Sequence, residues 1–188
     1  MTREEGLVLV REYIKNEGLV RHCLAVEAAM RAYAPRYAGD VDTWGLTGLL
    51  HDFDWEIHPS LDQHPHHGSP ILRERGVPEP IIHAILTHAD YLNIPRVIPM
   101  EKALAASDEL TGLITAATLV RPNKSIHGLD VPSIKKKFKD KSFARQVNRD
   151  DITRGAAELG VDMDAHIGFV LEAMQGAAIS LGLEGLPA

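Results

Sequence analysis

The chain has 188 residues, 45% of them apolar, and a formal net charge of −6. This length and composition suit one domain with a sizeable core and exclude a disordered or fibrous chain, and the acidic balance argues against broad nucleic-acid binding while leaving room for a local basic pocket. A single cysteine, Cys23, excludes an internal disulfide and fits a reducing, cytoplasmic setting. No signal-peptide pattern opens the sequence, and no apolar run is long enough for a bilayer. Ten histidines are the unusual total.

Thr2 is placed to cap a first helix, with Glu4 and Glu5 in its favourable first turn and Leu7, Val10 and Ile14 on one face. Asn16 and Gly18 read as its end. A second helix is expected over 19–33, with Leu19, Cys23, Val26 and Met30 at helical spacing and His22 at the edge of that stripe. Alone, His22 reads as a partly buried histidine bonded to a backbone carbonyl. After a break over 35–42, Asp42 is the expected cap of a third helix, 43–52. Trp44, Leu46, Leu49 and Leu50 make that helix strongly apolar, and it ends on His51 and Asp52. A bare carboxylate at a buried helix end is costly unless a cation or ion pair compensates it. Asp52 therefore asks for a partner, and a metal is one.

Residues 53–67 show no clean period and are rich in His, Asp and Pro, so they read as a loop over the site, with His58 and His66 solvated. A short helix over 68–75 stops at Gly76. The next, over 79–90, has Ile81, Ile82, Ile85 and Leu86 as its core. His83 and His88 stand about 140° apart around it, so only one of them faces the site; His88 comes at the helix end, as His51 does. Pro99 opens a long helix to about 120, where Asp108 shares a stripe of small residues with Ala105 and Gly112. A loop over 121–130 contains Arg121 and Lys124, and a basic helix over 133–141 is followed by Arg145. Such a run is a solvated face or, in the sharper reading, a cationic wall for a phosphate. Asp150 or Asp151 starts a further helix ending at Gly160. A last one, capped by Asp162 or Asp164, buries Ile167, Val170, Leu171, Met174, Ala178 and Leu181. His166, in its first turn, is given no role. No segment reads as a strand, and no break reads as a domain boundary, so an all-α, single-domain fold over 1–188 is expected.

Taken together, His22, the His51–Asp52 pair and Asp108 lie on three apolar helices in the order H…HD…D. This order resembles the HD superfamily of metal-dependent phosphohydrolases. His64, Pro65, His66, His67 and Gly68, followed by Ile71 and Leu72, resemble the HPxxG…IL stretch of the HDIG and HD-GYP branches. His88 looks like the next metal-binding histidine of those branches. The resemblance spans residues 22–111, and residues 103–151 resemble more closely a group of HDIG hydrolases of similar length. It implies an HD-type helical bundle with the metal site between central helices, a motif-bearing core over 19–120 and a helical extension over 121–188. It also implies one metal held by His22, His51, Asp52 and Asp108, and a second held by His64 and His88 with Asp52 bridging. Asp52 has two ligand oxygens and can bridge where an imidazole cannot. Donors this rich in imidazole suit one or two ions of Fe, Mn, Zn or Co better than Mg or Ca.

Two departures stand out. Where many HDIG proteins continue the pair as HD-x-G-K, this chain has Phe53, Asp54 and Trp55, so the lysine is missing. Where HD-GYP proteins have a His-His-Glu run, this chain has Thr87, His88 and Ala89, and specificity for cyclic di-GMP is not implied. The expected function is hydrolysis of a phosphate ester or phosphoanhydride, a nucleotide foremost, by attack of a metal-activated water. Asp52 is placed at the centre of that chemistry, Asp54 or His83 in proton transfer, and Arg121, Lys124 and Arg145 on the phosphates. The alternatives are di-iron oxygen chemistry on the same six ligands and a non-catalytic nucleotide-binding module. The expected partner is thus a phosphorylated small molecule, not a membrane; a homodimer is compatible with the sequence.

Overall fold

In the computed structural model, which describes residues 1–186, every regular element is a helix. The first, α1 (Arg3–Tyr13), is closed by a reciprocal cap: the Thr2 hydroxyl accepts from the Glu5 N–H at 3.2 Å, and the Glu5 carboxylate accepts from the Thr2 N–H at 2.7 Å. Asn16 does not end α1. Its side chain accepts from the N–H groups of Gly18 and Leu19 and so starts α2 (Glu17–Tyr33). Likewise Asp40, not Asp42, caps α3 (Val41–Leu50). Asp40 has the extended backbone a cap needs and accepts from the Thr43 N–H at 2.8 Å, whereas Asp42 already lies in the helix and pairs with Arg31 at 2.9 Å.

After a long run of turns come α4 (Ser69–Glu74), α5 (Glu79–His88) and α6 (Pro99–Leu119). The central rod is α6, against which α2, α5, α8 and α9 pack. The basic helix α7 (Val131–Lys139) starts two residues before its expected position, because Asp130 caps it. Asn148 caps α8 (Arg149–Leu159), and Asp162 caps α9 (Met163–Gly176). The single last helix expected from the apolar spacing is in fact two. The chain leaves helical geometry at Ala177, and α10 (Ala178–Leu181) turns to bury Ala178 and Leu181 against α2. Among the described residues there is no strand, and no helix is long and apolar enough to cross a membrane.

The core is continuous from α2 and α3 through α6 to α9, with Val26, Met30, Leu49, Leu50, Ile85, Leu110, Ile114 and Val170 buried at or near zero exposure. Two glycines set the closest crossings. A Cβ on Gly48 of α3 would stand 2.8 Å from the Val26 carbonyl oxygen of α2, and one on Gly155 of α8 would stand 2.6 Å from the Ala106 Cα of α6. Backbone meets backbone at both points, and a side chain fits at neither.

His166, to which the sequence assigned nothing, locks α9 to this core. Its Nδ1 accepts from the Tyr33 hydroxyl at 2.6 Å and its Nε2–H donates to the Ala106 carbonyl at 2.8 Å. Burial holds its pKa below the usual 6.5, against the opposing pull of the Ala106 carbonyl, so the folded state keeps the ring neutral. The unfolded chain binds a proton at His166 more readily than the folded one. The stability this ring contributes is present above pH 6.5 and is lost as pH falls below it. A melting-temperature profile between pH 7.5 and about 5 is expected to fall more steeply for the wild type than for His166→Gln; parallel profiles would contradict this.

Candidate metal centre

The helices that carry the dyad and its partners deliver their side chains to one place because α2, α3, α5 and α6 pack against one another there. His51 is the residue at which α3 terminates, and Asp52 follows in the first turn beyond it. His22 projects from the middle of α2, Asp108 from the middle of α6, and His88 from the last position of α5. His64 comes from the turn-rich segment between α3 and α4, which folds back over the others. Two groups of donor atoms result: His22, His51 and Asp108 in one, and Asp52, His64 and His88 in the other.

Every imidazole is fixed by its Nδ1. That of His51 donates to the Gly48 carbonyl at 2.8 Å, that of His88 to the Ile85 carbonyl, and that of His64 to the Asp54 carboxylate at 2.7 Å. The Thr111 hydroxyl donates to the Asp108 carbonyl at 2.8 Å and faces the Nδ1 of His22 at 3.5 Å. With the proton on Nδ1, each ring turns an Nε2 lone pair to the centre, as imidazole metal ligands do. From His22, Nε2 reaches Asp108 Oδ1 at 3.0 Å and Asp52 Oδ2 at 3.5 Å. From His51 the distances to Asp52 Oδ1 and Asp108 Oδ1 are 3.4 and 3.5 Å, and from His64 and His88 those to Asp52 Oδ1 are 3.1 and 3.7 Å. Metal–ligand bonds of about 2.0–2.2 Å put adjacent donors roughly 3–3.6 Å apart, so these spacings suit a shared ion. The His51 Nε2 is wholly buried and makes no hydrogen bond, and the Nε2 atoms of His64 and His88 face each other at 3.2 Å. Both are arrangements that a cation resolves.

The charges lean the same way. Burial disfavours the charged forms of Asp52 and Asp108, yet the surrounding imidazoles hold both carboxyls well below the usual range. Burial also opposes a charge on His51 and His64, but the carboxylates outweigh it, raising His51 well above its usual value and His64 to about 9. His88 goes the other way, down to about 4, through burial and then repulsion from His64 and His51. The cluster therefore calls for positive charge at its centre, and the rings cannot all supply it.

Asp54 stands where the HDIG pattern has glycine, and it does not reach the cavity. Its side chain is fully buried behind His64, with Oδ1 on the imidazole and Oδ2 without a partner. Gly68 makes room for it, since a Cβ there would lie 2.4 Å from Oδ2. Asp54 thus orients the His64 ring and, buried away from the cavity, is not placed to meet a substrate proton. Asp54→Asn is expected to weaken metal binding at the His64 side about 10- to 100-fold with little change at the other group. Competition with a chelating dye measures this, and unchanged affinity would contradict it.

The donors lie against a cavity of about 610 Å³, lined by His22, Asp52, His64, His88 and Asp108. His51 lies behind it, fully buried. The stripe of Ala105, Asp108 and Gly112 faces the cavity as its spacing suggested. The other sequence-selected residues do not. His83 lies half exposed on another side of α5, where its Nδ1 meets Glu101 at 2.8 Å; Glu101 in turn accepts from the Val97 and Ile98 N–H groups, so His83 supports the start of α6. Arg121 donates to the Gly128 carbonyl and braces its own loop, while Lys124 and Arg145 are exposed; none of the three lines the cavity. Its cations are instead Arg96 and Arg154, and Trp55, Leu61 and Tyr91 form an apolar side. Glu109 also faces inward, its pKa pushed up to about 7 by burial and by neighbouring Asp108.

A family model described as HD domain matches residues 19–119. No curated protein and no solved structure shows a significant match to the chain.

Proposed function

The chain belongs to the HD domain family, and on that basis we propose that it is a metal-dependent phosphohydrolase acting on a phosphate ester or phosphoanhydride, with nucleotides the first class to test. The observation that supports this reading is the pair of donor groups, His22–His51–Asp108 and Asp52–His64–His88, at one cavity. His22, His51 and Asp108 would hold one divalent ion and His64 and His88 a second. Asp52 spans the two, since its Oδ2 faces His22 while its Oδ1 faces His64 and His88. Bound ions would supply a water acidified toward neutrality and positive charge for the phosphoryl oxygens.

The chain's own part is to position. The Nδ1 hydrogen bonds prevent the rings from turning, so the donors need little reorganisation when loaded. The cavity volume falls in the range that encloses small ligands, and Trp55 and Tyr91 offer ring faces to an organic leaving group. Four imidazoles against two carboxylates favour Fe, Mn, Zn or Co.

The test is a phosphatase and phosphodiesterase panel on protein stripped of metal and reloaded with each of these ions. Release of phosphate only in loaded samples is expected. The same donor set suits iron-dependent oxygen chemistry, so oxygen uptake is followed in the iron-loaded sample. Uptake without phosphate release, or inertness of every fully metallated sample, would overturn the proposal.

A further inference from the structure

Part of the cavity wall comes from outside the segment that matches the family. Asn148, Asp151, Arg154 and Gly155, from α8 and the residue that caps it, line it. Gly155 lets this helix lie directly on α6 beside Asp108. Arg96 and Arg154 are the two cations of the lining among the described residues, and both hold the Asp90 carboxylate: Arg96 Nη2 takes Oδ1, and Arg154 Nη2 takes Oδ2.

The two arginines differ in what else they do. The Arg96 side chain is 9% exposed and fully engaged, donating from Nε to the Thr87 carbonyl at 3.0 Å, from Nη2 toward the His88 carbonyl at 3.5 Å, and from Nη1 to Glu158 at 3.0 Å. It is a fixed strut. The Arg154 side chain is 44% exposed, and its hydrogen bonds, to Asp90 and Asp151, both come from Nη2. Its Nη1 and Nε make no hydrogen bond, Nε standing 3.9 Å from Glu158. Both two-pronged edges of a guanidinium, Nη1/Nη2 and Nε/Nη2, include Nη2, so an incoming carboxylate or phosphate would take an unbonded N–H of Nη1 or Nε and share Nη2 with an aspartate or displace it.

We infer that Arg154, held in place by Asp90 and Asp151, is a specificity subsite for a second anionic group on the substrate, a carboxylate or a further phosphate apart from the group that reacts. This rests on the proposed phosphohydrolase reading and narrows its substrate class. Asp90 balances the arginine until the substrate's anion shares or displaces it. The lining has five carboxylates against two guanidiniums. Two divalent ions would turn that deficit into a surplus of roughly one positive charge, so the loaded cavity as a whole would attract an anionic substrate.

The test is equilibrium binding of non-hydrolysable probes to the metal-loaded full chain by calorimetry. Methylphosphonate presents one anionic group, phosphonoacetate adds a carboxylate, and methylenebisphosphonate adds a second phosphonate. Wild type is expected to prefer one of the two-anion probes over methylphosphonate by about 10-fold or more, and the preferred probe identifies the anion. Arg154→Gln is expected to abolish that preference while leaving methylphosphonate affinity unchanged, and Arg154→Lys to keep only part of it. Equal binding of all three probes by wild type, or an undiminished preference in a folded Arg154→Gln protein, would overturn the subsite. Cleavage of p-nitrophenyl phosphate is measured in parallel. A preference that depends on Arg154 in a protein inert on the whole phosphatase and phosphodiesterase panel upholds the subsite and sinks the hydrolase reading instead.

Discussion

Asp52→Ala is expected to lower metal-dependent turnover by about three orders of magnitude or more, a loss of at least roughly 4 kcal/mol of transition-state stabilisation. Asp52 is the one side chain within 3.7 Å of all four ligand imidazoles, through Oδ2 for His22 and Oδ1 for His51, His64 and His88. No other residue of the cluster links the two donor groups in this way. Removing it leaves the imidazoles with Asp108 as their remaining central carboxylate, so the second group loses its anion entirely. Elemental analysis should therefore show a lower metal content alongside the lost activity. Asp52→Asn keeps the size of the side chain and guards against a folding artefact. Either variant retaining full metal content and near-normal turnover would show that Asp52 does not bridge.

The largest stability effect is expected at Gly48. Its missing side chain lets α3 press against the backbone of α2, and a Cβ would meet the Val26 oxygen at 2.8 Å and the Glu27 nitrogen at 2.9 Å. Backbone atoms inside two packed helices cannot swing aside as a flexible side chain can. Gly48→Ala should therefore separate the helices and cost about 2–3 kcal/mol, a fall of roughly 5–10 °C in melting temperature for a chain of this size. The Gly48 carbonyl also anchors His51, so metal affinity should fall with it. Gly176→Ala is the control. Nothing lies within 4 Å of a Cβ there, and the change should be neutral or stabilising by up to about 1 kcal/mol. Equal melting temperatures for the two variants would refute the close-packing argument.

The candidate ligands His22, His51, Asp52, His88 and Asp108 were legible in the sequence because each lies on or at the end of an apolar helix, and His64 through the resemblance of the 64–68 stretch. A carboxylate after Leu49 and Leu50 is costly without a partner, and the small-residue stripe of Ala105 and Gly112 favoured an inward Asp108 over an exposed one beside Glu101 and Glu109. The cavity's cations were not legible. Arg96 lies in an irregular connection and Arg154 on a helix far along the chain, and only the α6–α8 crossing brings them to one carboxylate. The conspicuous basic run on α7 pointed the wrong way. Lys135 pairs with Asp164 and Lys137 lies over the Phe143 ring, and neither lines the cavity. His166 did leave a signal that went unused: it falls four residues before Val170 and eight before Met174, on the face that α9 buries. Asp40 and Asp42 are equally good caps by residue type, and only the backbone angles separate them.

The seating of α8 on α6 through Gly155 divides labour along the chain. The candidate metal donors all lie before residue 109, while α8 lines the cavity beside them. Substitutions on α8 can therefore reshape the cavity without touching the candidate donors. A chain built this way keeps its donor set apart from the part of the wall most free to vary, provided position 155 remains bare enough for the two rods to touch.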